Sequence, residues 1–172
     1  MRIITILLIL FSLSFADSIY FMPYQAKDAI GNLIKEIKNA KNEVKISIYS
    51  FTNREIGKAI RDSAKKGVKY KIIFDYKSNI DDDYSQIGYL AKLKNIEVCT
   101  LQGRRAKNDK YNGIMHNKLA IIDNQTIILG SANWSKGAFE LNYETLLISN
   151  NKDYIDSANN YFNKMFSECK AF

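Results

Sequence analysis

The sequence predicts an α/β domain, a mixed β-sheet flanked by helices. Three observations carry that reading. Apolar residues switch along the chain between period-two runs and amphipathic runs near period 3.6, which marks strands and helices in turn. A short polar connection, Asp123-Asn124-Gln125, joins two apolar β-rich runs as a hairpin, so the sheet is not purely parallel. A final amphipathic run places Ile155, Ala158, Phe162, Met165 and Phe166 on one helix face. The 172 residues suit one domain, and eight Gly and one Pro give no collagen-like or disordered signature.

In chain order, residues 19–22 form a short extended segment. Ile30, Leu33, Ile34 and Ile37 follow at helical spacing. Val44, Ile46 and Ile48 alternate as a strand. Thr52 and Glu55 have the spacing of a capping box that opens the next helix. Ile56 and Ile60 turn inward there, and Lys65-Lys66-Gly67 is a C-terminal stop. Tyr70, Ile72, Ile73 and Phe74 form a strand ending at Asp75. The pattern predicts a helix over 82–93. Asp81, Asp82 and Asp83 sit at its start, where carboxylates oppose the helix dipole favourably; the triplet lacks the spacing and turn Gly of a calcium loop. Strands are predicted over 96–101, 114–122, 126–129 and 143–149, with a polar, basic loop over 102–112 between the first two.

Residues 1–16 read differently. Met1-Arg2 precedes an almost wholly apolar run that ends in Ser14-Phe15-Ala16, the small-x-Ala pattern of a secretory signal peptide cleaved after Ala16. The run is short for a membrane span, which takes about 20 residues. With only one preceding positive charge, an uncleaved anchor is the second reading. Either way the expectation is an exported domain, residues 17–172, in the periplasm or held at the outer face of the inner membrane.

Without Arg2 the chain keeps 24 Lys and Arg against 18 Asp and Glu, a net charge of +6. That excess favours acidic partners such as nucleic acid or anionic lipid, with plain solubility as the alternative. Cys99 and Cys169 form no C-x-x-C, and one His builds no zinc site within one chain. The two thiols either pair in an oxidising compartment or stay buried and free.

The chemistry centres on that one histidine. His116 and Lys118 are two apart on a predicted strand, so they share a face about 7 Å apart at roughly 3.3 Å per residue. An imidazole and an ammonium on one face suit a phosphate: the first attacks phosphorus or gives a proton, the second neutralises charge. Gly130 lets backbone approach closely, and Ser131 and Asn133 offer neutral donors to phosphoryl oxygens. Glu144 is a carboxylate able to hold an imidazole N–H. Asp123 either joins this set or holds the hairpin through backbone N–H groups. Trp134 and the many Tyr read first as core residues.

The run His116-x-Lys118, then Asp123, Gly130-Ser131-x-Asn133 and, eleven residues later, Glu144 resembles the signature of the phospholipase D superfamily. The single copy, and Tyr49-Ser50-Phe51-Thr52 after the second strand, are similar to its small single-motif bacterial endonuclease branch (Nuc-like). The resemblance covers the chain beyond residue 16. It implies a homodimer with one site at the two-fold axis, since large members carry two motifs per chain. One His attacks the phosphodiester to form a phosphohistidine, and the other protonates the leaving oxygen and later deprotonates water. Lys118, Ser131 and Asn133 then stabilise the charged transition state, and neither metal nor other cofactor is implied.

Arg104, Arg105, Lys107 and Lys110 lie just before His116 and make a candidate phosphate-backbone track. The expected function is a nonspecific endonuclease acting on DNA, single strands favoured, with RNA and duplex as further partners. A phospholipase D or cardiolipin hydrolase is the alternative within enzymes, and it would want an apolar rim or amphipathic membrane-binding helix. A non-catalytic DNA-capturing protein is the alternative of another class, opposed by the intact His116 and Lys118.

Overall fold

The computed structural model describes residues 17–107 and 110–172. The expected leader or anchor, residues 1–16, lies outside them. Among the described residues eight strands form one mixed sheet flanked by helices on both faces. The chain runs β1 (Ser18–Met22), α1 (Ala26–Asn39), β2 (Glu43–Ile48), α2 (Arg54–Lys65), β3 (Lys69–Asp75), α3 (Tyr76–Ile80), α4 (Ile87–Leu90) and β4 (Ile96–Leu101). It continues through β5 (Lys118–Ile122), β6 (Thr126–Gly130), α5 (Lys136–Glu140), β7 (Glu144–Ser149), α6 (Lys152–Glu168) and β8 (Lys170–Ala171). The strand order is β1-β7-β6-β5-β2-β3-β4-β8. Strands β2, β3 and β4 are parallel, and every other pair is antiparallel.

The alternation of side chains across the sheet makes two cores. On one face Val44, Ile46, Ile48, Ile72 and Phe74 pack under α1 and α2, whose Leu33, Ile37, Ile56 and Ile60 are fully buried. On the other, Ile73, Leu119, Ile121 and Ile127 meet Ile155, Phe162 and Met165 of α6. Cys99 and Cys169 form a disulfide that ties the end of α6 to β4, which decides between the two readings of the thiols. Helix α6 lies chiefly across β4, β5 and β6. Register places Ile19 opposite Leu147 and Leu147 opposite Leu129 on that same face. Ile19 and Phe21 are accordingly half exposed.

Several local expectations change. The cap of α2 is Asn53 rather than Thr52: its side chain accepts from the N–H groups of Glu55 and Ile56. The helix expected over 82–93 shrinks to α4. Asp82 Oδ1 captures Tyr84 N–H and Ser85 Oγ captures Ile87 N–H, so side chains close turns where a helix would need backbone acceptors. The strand expected from 114 begins at Lys118, because Asp75 Oδ2 takes the Met115 N–H at 2.9 Å. The hairpin at 123–125 is present, with Asp123 and Asn124 at φ of 52° and 53°, the left-handed pair such a tight turn needs.

Candidate active site

Topology gathers the chemistry at one edge of the sheet. Strands β2, β3 and β6 end there, and β5 and β7, antiparallel to their neighbours, begin there. Tyr49, Asp75, Ser131, Lys118 and Glu144 therefore converge, with His116 just ahead of β5. The His116 imidazole is exposed and lies against Tyr49, ring centroids 4.5 Å apart at 62°. Lys118 is 6% exposed, and its Nζ stands 5.0 Å from the Tyr49 ring centre and donates to the His116 carbonyl at 3.0 Å. Imidazole and ammonium thus share one aromatic side chain, although only Lys118 is in the strand. Burial lowers the Lys118 pKa from its ordinary value, and the Glu144 carboxylate opposes that shift.

Glu144 meets Ser131, not His116. The Ser131 hydroxyl donates to Glu144 Oε2 in a short hydrogen bond and accepts from Thr145 N–H at 3.0 Å. The hydroxyl proton expected to face a phosphate is committed to the carboxylate in this geometry, so Ser131 ties Glu144 down. Gly130 is required: a Cβ there would collide with the Thr145 carbonyl. Among the described residues the buried Asn133 Oδ1 has no hydrogen-bond partner.

Asp123 stands at the opposite end of β5 from Lys118, about 16 Å away along the strand at roughly 3.3 Å per residue. Its carboxylate accepts from the N–H groups of Lys41, Asn42 and Glu43 at 2.7, 2.8 and 3.0 Å. Direct chemistry by Asp123 gives way to bracing the hairpin against the start of β2. Arg104, Arg105, Lys107 and Lys110 are exposed on the loop between β4 and His116. That loop is zipped at its base by Gly103 N–H to Gly113 O and Gly113 N–H to Arg104 O, each 2.9 Å.

Sequence reasoning missed a supporting network. Asp75, 1% exposed, accepts from Ser78 N–H and Met115 N–H, one bond per carboxylate oxygen. Asn79 donates to the Tyr49 carbonyl at 2.7 Å and the Asp75 carbonyl at 2.8 Å, and Ser85 Oγ donates to Asn79 Oδ1 at 2.9 Å. The peptides flanking His116 are thus held from two sides, since Tyr49 N–H also donates to the Asn117 carbonyl at 2.8 Å. One signal was available: Asp75 ends an apolar strand three residues before Ser78, the spacing of an N-cap.

Fold and site together bring an exposed imidazole, a buried ammonium and a carboxylate to one edge of the sheet. Residues 33–166 match the family described as cardiolipin synthase, PLD-like domain. The chain belongs to this phospholipase D-like family. Its fold superposes on NucT from Helicobacter pylori with a TM-score of 0.89 and 48% identity, over 91% of this chain and 99% of that one. Nuc from Salmonella typhimurium, a phospholipase D family member, matches with a TM-score of 0.75 and 25% identity over 91% and 97%. Mouse mitochondrial cardiolipin hydrolase is 26% identical over 148 residues, 83% of this chain and 60% of that protein. A phospholipase D of Rickettsia bellii is 31% identical over 122 residues, 71% and 56%. The chain spans about half to three-fifths of the length of these curated relatives.

Proposed function

We propose that this protein is an exported phosphodiesterase that cleaves nucleic acid, single-stranded DNA foremost, at a site shared by two copies of the chain. The observation that carries the reading is the lone His116, exposed at the sheet edge beside the buried Lys118. Two-imidazole chemistry needs a second copy. An isologous dimer brings equal patches together, and a suitable patch adjoins the site. Ile19 and Phe21 are half exposed on the α6-side face of the sheet, in register with the half-buried Leu147, near a cleft of about 480 Å³ lined by His116, Lys118, Leu129, Gly130 and Tyr161.

In the reaction His116 attacks phosphorus and one P–O bond breaks. The leaving oxygen takes a proton from the imidazolium of the partner subunit's His116. Water, deprotonated by that same imidazole, then attacks phosphorus and breaks the P–N bond, freeing His116. Lys118 and the Asn133 amide stabilise the developing charge, and Glu144 supports the Lys118 ammonium. The chemistry routes no step through a metal.

Nucleic acid is favoured by the net charge of +7, by the exposed cations of the 104–110 loop and by the likeness to NucT over nearly all of both chains. Export rests on the composition of residues 1–16, with cleavage after Ala16 or retention as an anchor, and the Cys99–Cys169 disulfide suits an oxidising compartment. A phospholipid reading has its own support in the cardiolipin hydrolase and phospholipase D relatives. Side-by-side assays on single-stranded DNA, RNA and cardiolipin vesicles separate them. Strand cleavage is expected; vesicle hydrolysis with both nucleic acids left intact would overturn the nucleic-acid reading.

A further inference from the structure

A second cationic feature stands apart from the 104–110 loop and the His116 site. A cleft of about 550 Å³ opens between α2 and the segment leading through α4, lined by Arg54, Lys58, Lys92, Tyr84, Tyr89 and Asp83. A neighbouring cleft of about 730 Å³ shares Arg54 and Tyr84, so the two are continuous. Arg54, Lys58 and Lys92 form no ion pair among the described residues, although Arg61, Lys136 and Lys152 do. In the first cleft these three cations face one carboxylate, Asp83, and the neighbouring cleft adds Lys27 and Lys136 beside Glu55 and Glu140. The aromatic part is held ready. Tyr84 is 71% exposed, while its backbone N–H is fixed by Asp82 Oδ1 at 2.8 Å. The Tyr89 hydroxyl accepts from Arg61 at 3.3 Å. A large aromatic left in water on a fixed backbone gives up stacking area that a base can recover, with little left to order.

The cleft is also joined to the catalytic loop. Its floor includes Ser85 and Gln86. Gln86 N–H donates to the Phe51 carbonyl at 2.9 Å, and Ser85 reaches Asn79, which holds the Tyr49 carbonyl. Tyr49 is the ring against His116. The cleft and the Tyr49 peptide beside His116 thus share one hydrogen-bonded support.

Resting on the nucleic-acid reading above, we propose that this cleft is an accessory single-strand subsite: Arg54, Lys58 and Lys92 take successive phosphates and Tyr84 stacks an unpaired base. Cations spread along a cleft beside an exposed ring suit a polymer with repeated phosphates and flat bases better than one lipid headgroup.

Binding of labelled oligo(dT), about 30 nucleotides long so that it exceeds a typical single-strand site of roughly 4–16, is measured by anisotropy against salt in the cleavage-dead His116→Ala protein. Each phosphate contact contributes about 0.7 to the slope of log affinity against log salt on single strands. Adding Arg54→Ala, Lys58→Ala and Lys92→Ala should flatten that slope by about 2. The charge-keeping Arg54→Lys, Lys58→Arg, Lys92→Arg set should restore it, which also reports that the alanine protein's loss is not misfolding. Tyr84→Ala alone should weaken binding about fivefold, the lower end for one stacked base. Unchanged slope and affinity in a protein that binds the strand overturns this subsite alone. Loss of binding to anionic phospholipid vesicles with strand binding intact also overturns it. No strand binding even with the cleft intact overturns the nucleic-acid reading itself.

Discussion

The Tyr49 ring stands edge-on to the His116 imidazole, 4.5 Å away, and the same ring lies 5.0 Å from the Lys118 ammonium. One aromatic side chain thereby sets the position of both groups that the proposed chemistry needs. Contacts of this kind contribute about 0.5–1.5 kcal/mol each. Tyr49→Leu should lower kcat about tenfold, the upper end of that range, with little change in KM. Tyr49→Phe keeps the ring and should keep most of the rate. Steady-state kinetics on a short oligonucleotide separates these outcomes, and equal losses in both variants would point to the hydroxyl instead.

Asp75 holds the start of the His116 segment from a buried position. Its two oxygens receive the Ser78 and Met115 N–H groups in a buried setting. Asp75→Asn keeps one oxygen and turns an N–H₂ toward a second donor, so one bond is lost in the interior. The expected cost is about 1–3 kcal/mol in urea unfolding, with a fall in kcat as the His116 loop loosens. Unchanged kcat in a destabilised protein would confine Asp75 to the fold.

Lys118 gives a pH prediction with a definite sign. Burial favours its neutral form and lowers its pKa, so the ammonium is lost at lower pH than for an exposed lysine. The alkaline limb of the kcat profile should therefore fall below the ordinary lysine range. Glu144 raises the Lys118 pKa. Removing that charge in Glu144→Gln should move the limb lower still, whatever else it does to the rate. Lys118→Arg, which does not titrate in this range, should erase the limb. A limb moving upward in Glu144→Gln would contradict the pairing.

The Cys99–Cys169 bridge closes a 70-residue separation. In the chain-entropy description such a closure stabilises by about 4 kcal/mol. The double Cys99→Ser, Cys169→Ser protein should lose about that much in denaturant unfolding, and reductant should then have no further effect on its midpoint.

The parts of this fold governed by period were legible in the sequence. The alternation at Val44, Ile46 and Ile48 holds in a strand buried on both faces, α6 buries Ile155, Ala158, Phe162 and Met165, and Asp123-Asn124 takes the left-handed turn its residue types allow. Elements governed by particular side chains were not. Ser85 and Asp82 divert backbone N–H groups that a helix over 82–93 would use, and no periodicity reports that. Helix α3, helix α5 and the two-residue β8 are too short to show a period. At the site, the residues that carry the family resemblance, His116, Lys118, Ser131 and Glu144, come together at one sheet edge. Sequence reasoning assigned Glu144 to the imidazole, whereas within one chain the carboxylate belongs to Ser131. Asp123 looked equivalent to its neighbours in the motif, yet strand direction carries it to the far edge. Tyr49 meets the Asp75–Asn79 turn only in three dimensions.

Labelled circular single-stranded DNA, incubated in EDTA with the wild-type protein and with His116→Ala, tests the proposed chemistry most directly. The expected result is opening of the circle by the wild type in EDTA and none by His116→Ala. Cleavage that persists in His116→Ala, or that EDTA abolishes in the wild type, would contradict a metal-independent mechanism centred on His116.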